Sequence, residues 1–157
     1  NGKALTAAGI KPVCPFQQVF QSLYLFGAFS PINGNHFLLI MPQCNSLNFQ
    51  IFLDLFSKTR PDELKVIVLD NGAFHKAQVL IIPENIILIF LPPFSPELNP
   101  AENMWARFKR DFTNRLFKTL DELEVYMCDA VNKLTETMVK QTCAFSYVFE
   151  GNYWSVI

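Results

Sequence analysis

The sequence lacks the features that direct a protein to a membrane or to a zinc ion. Its longest apolar run, Ile86–Leu91, is far shorter than the roughly 18 residues of a membrane-spanning helix. Asn1–Ile10 contains no apolar stretch typical of a signal peptide. The four cysteines form no C-x-x-C pair and are distant in sequence from both histidines, so we expect reduced thiols rather than a zinc site.

Charge is scarce as well. Only 17% of the 157 residues are charged, the net charge is −1, and half of the residues are hydrophobic, including 16 phenylalanines. This composition predicts one folded domain over residues 1–157 with a sizeable core. Many DNA-binding proteins are strongly basic, so the global charge argues mildly against nucleic acid.

The first half of the sequence predicts a hairpin followed by a helix. Residues 21–30 and 36–41 are apolar, aromatic-rich segments, and the Pro, Asn and Gly residues at 31–35 are typical of a tight turn. An antiparallel hairpin is therefore expected. Asn45 or Ser46 can cap the next helix, whose predicted apolar face comprises Phe49, Phe52, Leu53 and Phe56.

The second half predicts a pair of parallel strands. Val66–Leu69 and Ile86–Leu91 are short unbroken apolar runs, which suit strands buried on both faces of a parallel sheet. A short helix is expected between them at Phe74–Ile81. The fold class that follows is mixed α/β, with an antiparallel hairpin beside parallel strands.

Two helices are predicted after the strands. The proline-rich loop 92–100 leads into a helix with Asn99 as N-cap, Pro100 at its first position, and an apolar stripe of Met104, Trp105, Phe108 and Phe112. Thr119 and Glu122 have the spacing of a capping box, which begins a last helix with an apolar face extending to Met138. An extended tail is expected at Phe145–Ile157.

Asp70 is the first candidate for chemistry. It directly follows the apolar run 66–69, and open α/β sheets bind ligands at the carboxyl ends of their strands. Asn71 and Gly72 allow the backbone to turn sharply there. From this residue alone, an Asx-turn or a cap for the next helix is the favoured role.

Glu102 is the second candidate. It lies in the first helical turn after the proline-rich loop, and its spacing from Asn99 matches a capping box, which is the favoured local role. Considered together, Asp70 and Glu102 could hold Mg²⁺ and support an in-line displacement at a phosphodiester. A third carboxylate is missing, because no Asp or Glu precedes Asp54.

A basic segment follows Glu102. It comprises Arg107, Lys109, Arg110, Arg115 and Lys118. These side chains could bind DNA phosphates, although a solvated helix face is the more common meaning of such a segment. His75, together with Asn71, could position substrate or water, and a packed or surface histidine is at least as good an explanation.

Four parts of the chain resemble the DDE transposases of mariner-like insertion sequences. The resemblance is carried by Gly9–Pro12 (GIKP), Leu25–Pro31 (LFGAFSP), Val66–His75 (VIVLDNGAFH) and Leu91–Trp105 (LPPFSPELNPAENMW). It covers nearly the whole chain, and the pattern SP-x-LNP-x-E-x-x-W is highly specific.

The resemblance implies a ribonuclease H-like fold in which Asp70 and Glu102 are catalytic ligands of Mg²⁺ or Mn²⁺. It implies nicking of transposon ends followed by strand transfer into target DNA. A homodimer acting on DNA in the bacterial cytoplasm, in association with the nucleoid, is also expected from it, with no membrane attachment.

The chain departs from the family in lacking the first aspartate and the central strand that carries it. We therefore expect the chain alone to be inactive, and we expect a gap beside the strand that ends at Asp70. Two alternatives remain open at this point. One is an inert transposase remnant that binds DNA or regulates, and the other is a small-molecule α/β enzyme that uses Asp70 as base or nucleophile.

Overall fold

The structure, a computed structural model, describes residues 22–70, 72, 79–93, 95–113 and 115–145. None of the helices in these ranges is long and apolar enough to cross a membrane. The elements are the strands β1 (Tyr24–Phe29), β2 (His36–Met41), β3 (Lys65–Leu69) and β4 (Ile86–Phe90), and the helices α1 (Ser46–Lys58), α2 (Ala101–Phe112), α3 (Leu120–Asn132) and α4 (Glu136–Thr142).

The predicted hairpin is confirmed. β1 and β2 pair antiparallel, from Tyr24 opposite Met41 to Phe29 opposite His36. The turn is closed by the Ser30 N–H, which donates to the Asn35 carbonyl at 2.8 Å. Gly34 has a φ of +82°, a left-handed conformation that glycine adopts without steric cost.

The predicted parallel pair is confirmed as well. β3 and β4 pair parallel, from Lys65 opposite Ile86 to Leu69 opposite Phe90. Within the described residues each sheet has two strands, and the two sheets are not hydrogen-bonded to each other. Most of the helix expected at Phe74–Ile81 lies outside the described residues, and its last three positions are not helical.

Helix α1 packs against both sheets and joins them through one core. Its predicted cap forms, since the Asn45 side chain accepts from the Asn48 N–H at 2.9 Å. Phe52 and Leu53 are buried in a core that contains Phe26 of β1 as well as Leu69 of β3. Small sheets flanked by helices make this a mixed α/β fold, consistent with the ribonuclease H-like expectation.

Helices α2 and α4 cover the opposite face of the hairpin. Met104, Phe108, Val139 and Cys143 form a second core, against which β1 and β2 also pack. Trp105 lies edge-on to a β1 phenylalanine at 5.5 Å between ring centroids. It can approach the strand because Gly27 stands there, where a Cβ atom would lie 2.9 Å from the indole ring.

The second face of the β3–β4 sheet is exposed, so the prediction of strands buried on both faces is wrong. Val66, Val68, Ile87 and Ile89 alternate with the buried residues of their strands and are each 42–45% exposed. The physical reason is the placement of α2 and α4, whose core residues pack against the hairpin.

Two helix boundaries differ from the prediction. The last predicted helix is divided, because the Thr135 side chain accepts from the Met138 N–H at 3.2 Å and so begins α4 separately. The Thr119 cap of α3 is confirmed by its bond from the Glu122 N–H at 3.2 Å. Helix α2 begins one residue late, with Pro100 at its N-cap rather than at its first position.

Candidate functional site

Asp70 lies at the carboxyl end of β3 and its side chain is exposed. Its Oδ1 atom accepts from the Gly72 N–H at 3.1 Å, so the Asx-turn anticipated from the sequence is present. The ends of the two strands stay joined just before this point, because the Leu91 N–H donates to the Leu69 carbonyl at 2.9 Å. Asn71 and His75 lie outside the described residues.

The charge of Asp70 affects the pKa of the Cys44 thiol. Partial burial and the Asp70 carboxylate, in that order, raise the pKa of Cys44 above its ordinary value. Cys44 follows the end of β2, so the segment after the hairpin lies close enough to Asp70 for its charge to affect the thiol. At the opposite end, Arg60 donates to the side chain of Asn35 in the hairpin turn at 2.7 Å, shortly before β3 begins.

Cys44 is a neighbour that the sequence reasoning missed. The available signal was its position three residues after Met41, the last residue of β2, just as Asp70 directly follows β3. Residues that directly follow strands are candidates to meet at one end of a fold. The sequence pattern does not predict that these two strand ends meet, because this depends on how α1 connects the two sheets.

Glu102 is the second residue of α2, and its side chain is exposed. The predicted capping box with Asn99 is wrong. The Asn99 side chain accepts from the Ala101 N–H at 3.1 Å, and the N-cap residue Pro100 has no side-chain cap bond. Within the described residues the Glu102 carboxylate has no hydrogen bond or ion pair, so it is available to a ligand.

The start of α2 is held by the end of α4. The Cys143 thiol donates to the Pro100 carbonyl at 3.7 Å, and the Asn103 amide donates to the Thr142 carbonyl at 3.2 Å. The other end of α4 lies against the hairpin turn, where Gly34 touches the backbone of Glu136. Helix α4 thus leads from the hairpin turn to the start of α2, over a length of roughly 10 Å.

The basic residues of α2 do not share one face. Glu102 and Lys109 are seven residues apart, which puts them on the same side of a helix with 3.6 residues per turn. Arg107 lies on the other flank, where it lines a groove between α2, α3 and α4 with Asp111 and Lys133. In the described part of the chain, Arg107, Lys109 and Arg110 form no ion pair.

Arg115 has structural partners of its own. It lies beyond the end of α2, its Nε donates to the Asp111 carbonyl at 3.0 Å, and its guanidinium lies 4.6 Å above the Tyr126 ring. These contacts connect the end of α2 to α3. Arg115 is therefore less free than Lys109 to reach a phosphate.

The described residues contain no cluster of three His, Cys, Asp or Glu side chains that could hold a metal ion. Asp70 and Glu102 would supply two hard oxygen donors, which suits Mg²⁺ because that ion keeps water and substrate phosphate as its other ligands. Two surface cavities in the described part lie along α3, and Asp70 lines neither of them.

Comparison with known proteins gives a family. A sequence model of the DDE superfamily endonucleases matches residues 2–124, a range that contains both Asp70 and Glu102. The chain is 40% identical over 116 residues to the uncharacterized protein y4pE/y4sA of Sinorhizobium fredii, across 72% of this chain and 85% of that protein. No solved structure matches the chain.

Proposed function

The chain belongs to the DDE superfamily endonucleases, and from that premise we propose that it is the catalytic segment of a mariner-like transposase. The proposed activity is metal-dependent nicking at the ends of an insertion sequence, followed by strand transfer into target DNA. The supporting observation is the exposed Glu102 carboxylate, which has no partner among the described residues at the start of a helix. If the Glu102 carboxylate capped the helix start, it would already be hydrogen-bonded and would be less available to a metal ion.

Asp70 and Glu102 are the proposed metal ligands, for Mg²⁺ or Mn²⁺. When bound, the ions would supply positive charge at the attacking and leaving oxygens of the phosphodiester. The Asx-turn with Gly72 would limit the rotation of the Asp70 carboxylate and so hold it ready for a ligand. Asn71 and His75 are proposed to position substrate or water.

DNA is the proposed partner, bound through phosphates by Arg107, Lys109, Arg110 and Arg115. Lys109 has the best support, because it shares a helix flank with Glu102 and forms no ion pair with another described residue. Arg115 has the weakest, since its guanidinium lies on the ring of Tyr126. A homodimer in the bacterial cytoplasm, associated with the nucleoid, is the proposed setting.

Metal binding by the purified chain tests the paired role of the carboxylates. Manganese titration followed by electron paramagnetic resonance should show binding by the unchanged chain. Asp70→Asn and Glu102→Gln should each weaken it by roughly tenfold or more, because loss of a direct ligand costs at least as much as loss of its supporting contacts. Glu136→Gln is the matched control, since Glu136 is also an exposed acid in a first helical turn.

Unchanged Mn²⁺ affinity in both site variants would exclude a shared metal site. A nicking assay on supercoiled and element-end DNA addresses activity separately. We propose that these 157 residues alone do not nick DNA, because they contribute two of the three carboxylates. Mg²⁺-dependent nicking that disappears in Glu102→Gln would overturn this inactivity while supporting the nuclease function.

A further inference from the structure

The three residues that follow Glu102 are each held by contacts outside α2. The Asn103 amide donates to the carbonyl of the last α4 residue at 3.2 Å. Met104 is completely buried in the second core. Trp105 packs edge-on against Phe29 of β1, with 5.5 Å between the ring centroids. The backbone that follows Glu102 is therefore fixed by a helix and by a strand.

Helix α2 begins without the N-cap side-chain bond that α1, α3 and α4 have. The side chains of Asn45, Thr119 and Thr135 each accept a backbone N–H at the start of those helices. The N-cap residue of α2 is Pro100, whose side chain makes no such bond. Its carbonyl instead accepts from the Cys143 thiol, 3.7 Å away at the end of α4. A tertiary contact thus joins this helix start to α4.

The contacts between the two helix ends are reciprocal. Thr142 is the last residue of α4, and the last carbonyls of a helix have no partner within it. The Asn103 side chain of α2 supplies a donor to this carbonyl, whereas Cys143, the C-cap of α4, supplies a donor to α2. Cys143 is completely buried, so water does not compete for its contact. Each helix end therefore satisfies a polar group of the other.

We propose that Asn103 and Cys143 are positioning residues for Glu102. They hold the first turn of α2 against the end of α4, and so keep the Glu102 carboxylate in the place from which it binds a metal ion. Glu102 has no hydrogen bond or ion pair among the described residues, so its place is set by the backbone that carries it. The inference rests on the proposed function, because it takes Glu102 as a metal ligand.

Manganese titration followed by electron paramagnetic resonance tests this role in the full 157-residue chain. Asn103→Ala and Cys143→Ala should each weaken Mn²⁺ binding by roughly two- to tenfold, the range that corresponds to the net contribution of one hydrogen bond. The loss should be smaller than that of Glu102→Gln, because the ligand itself remains. Alanine has a higher helix propensity than asparagine or cysteine, so neither substitution weakens its helix through propensity.

Asn132→Ala and Cys128→Ala are the matched controls, since Asn132 and Cys128 are exposed residues of α3. Both should leave the Mn²⁺ affinity unchanged. Circular dichroism and urea unfolding establish that each variant is folded under the titration conditions, so the affinity refers to the folded chain. Hydrogen exchange followed by mass spectrometry should show faster exchange of the first turn of α2 in both site variants.

Two results would overturn the positioning role while leaving the proposed function intact. The first is a folded Asn103→Ala or Cys143→Ala chain whose Mn²⁺ affinity or first-turn exchange matches the unchanged chain, which excludes the role of that residue. The second is an equal loss of affinity in the control variants. Should one site variant not fold, the other provides the test. Mn²⁺ affinity that Glu102→Gln leaves unchanged would overturn both this inference and the proposed metal role of Glu102.

Discussion

The negative charge of the Asp70 carboxylate raises the pKa of the Cys44 thiol. Asp70 directly follows β3, whereas Cys44 lies in the segment between β2 and α1. Partial burial is the larger cause of the raised pKa of Cys44, and the negative charge of Asp70 adds to it. Although its surroundings partly desolvate the thiol, most of the Cys44 side chain is exposed, so a reagent can reach it. We therefore expect the pKa of Cys44 to respond to a change of charge at Asp70.

Alkylation of Cys44 should accelerate when the charge of Asp70 is removed. A raised pKa means less reactive thiolate at a given pH, so Asp70→Asn should lower the pKa of Cys44 and raise its rate of reaction with iodoacetamide near pH 8. Saturating Mg²⁺ should have the same effect on the unchanged chain if the ion binds Asp70. Mass spectrometry of the Cys44 peptide measures the rate.

Cys128 is the internal control for this experiment, since it is exposed on α3. Its rate should not respond to Asp70→Asn or to Mg²⁺. Equal Cys44 rates in Asp70→Asn and the unchanged chain would show that the carboxylate does not influence the thiol in solution.

Lys109 and Arg115 should differ in their contribution to DNA binding. Lys109→Ala is expected to weaken DNA binding and to reduce the slope of log affinity against log salt by about one. Arg115→Ala is expected to change that slope less, and to cost about 0.5–1 kcal/mol of stability through its lost contact with Tyr126. Fluorescence anisotropy at several salt concentrations, with urea unfolding, separates the two. A larger loss of salt dependence in Arg115→Ala would reverse this assignment.

Leu53 should dominate the stability of α1. It is completely buried in the core shared by both sheets, so Leu53→Ala should lower the free energy of unfolding by about 2–5 kcal/mol. Leu55→Ala on the same helix is the matched control, because Leu55 is 40% exposed. Its cost should be roughly 0.5 kcal/mol. Similar urea midpoints for the two variants would argue against a shared core.

Gly34→Ala should destabilise the contact between the hairpin turn and α4. The left-handed φ of +82° costs a residue with a Cβ about 1–2 kcal/mol, and that Cβ would also meet the backbone of Glu136. A total loss of roughly 2 kcal/mol or more is expected in thermal or urea unfolding. Ile32→Ala in the same turn is the control, since Ile32 is 71% exposed. A neutral Gly34→Ala would mean that the turn and α4 do not touch.

Local sequence patterns predicted the secondary structure correctly where it depends on residues within one segment. The hairpin 24–41, the Asn45 and Thr119 caps, and the parallel strands ending near Leu69 and Phe90 follow from turn residues, cap chemistry and apolar runs. Asp70 was placed correctly at a strand end for the same reason. The pairing of Asp70 with Glu102 in one metal site stays a prediction.

The sequence patterns were insufficient where competing hydrogen bonds or packing against other elements determined the structure. The Asn99–Glu102 spacing fits a capping box, but the Asn99 side chain bonds to Ala101 instead. One apolar stripe suggested a single last helix, yet the Thr135 cap divides it. An unbroken apolar run also does not show whether one face of its strand or both faces are covered by helices.

The sequence by itself determined which segments are strands and helices. It also placed one carboxylate, Asp70, just after a strand and another, Glu102, at a helix start. Both results depend only on residues that are close together in the chain. Only the tertiary structure decided which faces are covered, and that Cys44 lies within reach of the Asp70 charge. These outcomes depend on the direction in which α1 connects the two sheets and on the side to which α2 and α4 pack. Such long-range packing has no counterpart in the spacing of residues along the chain.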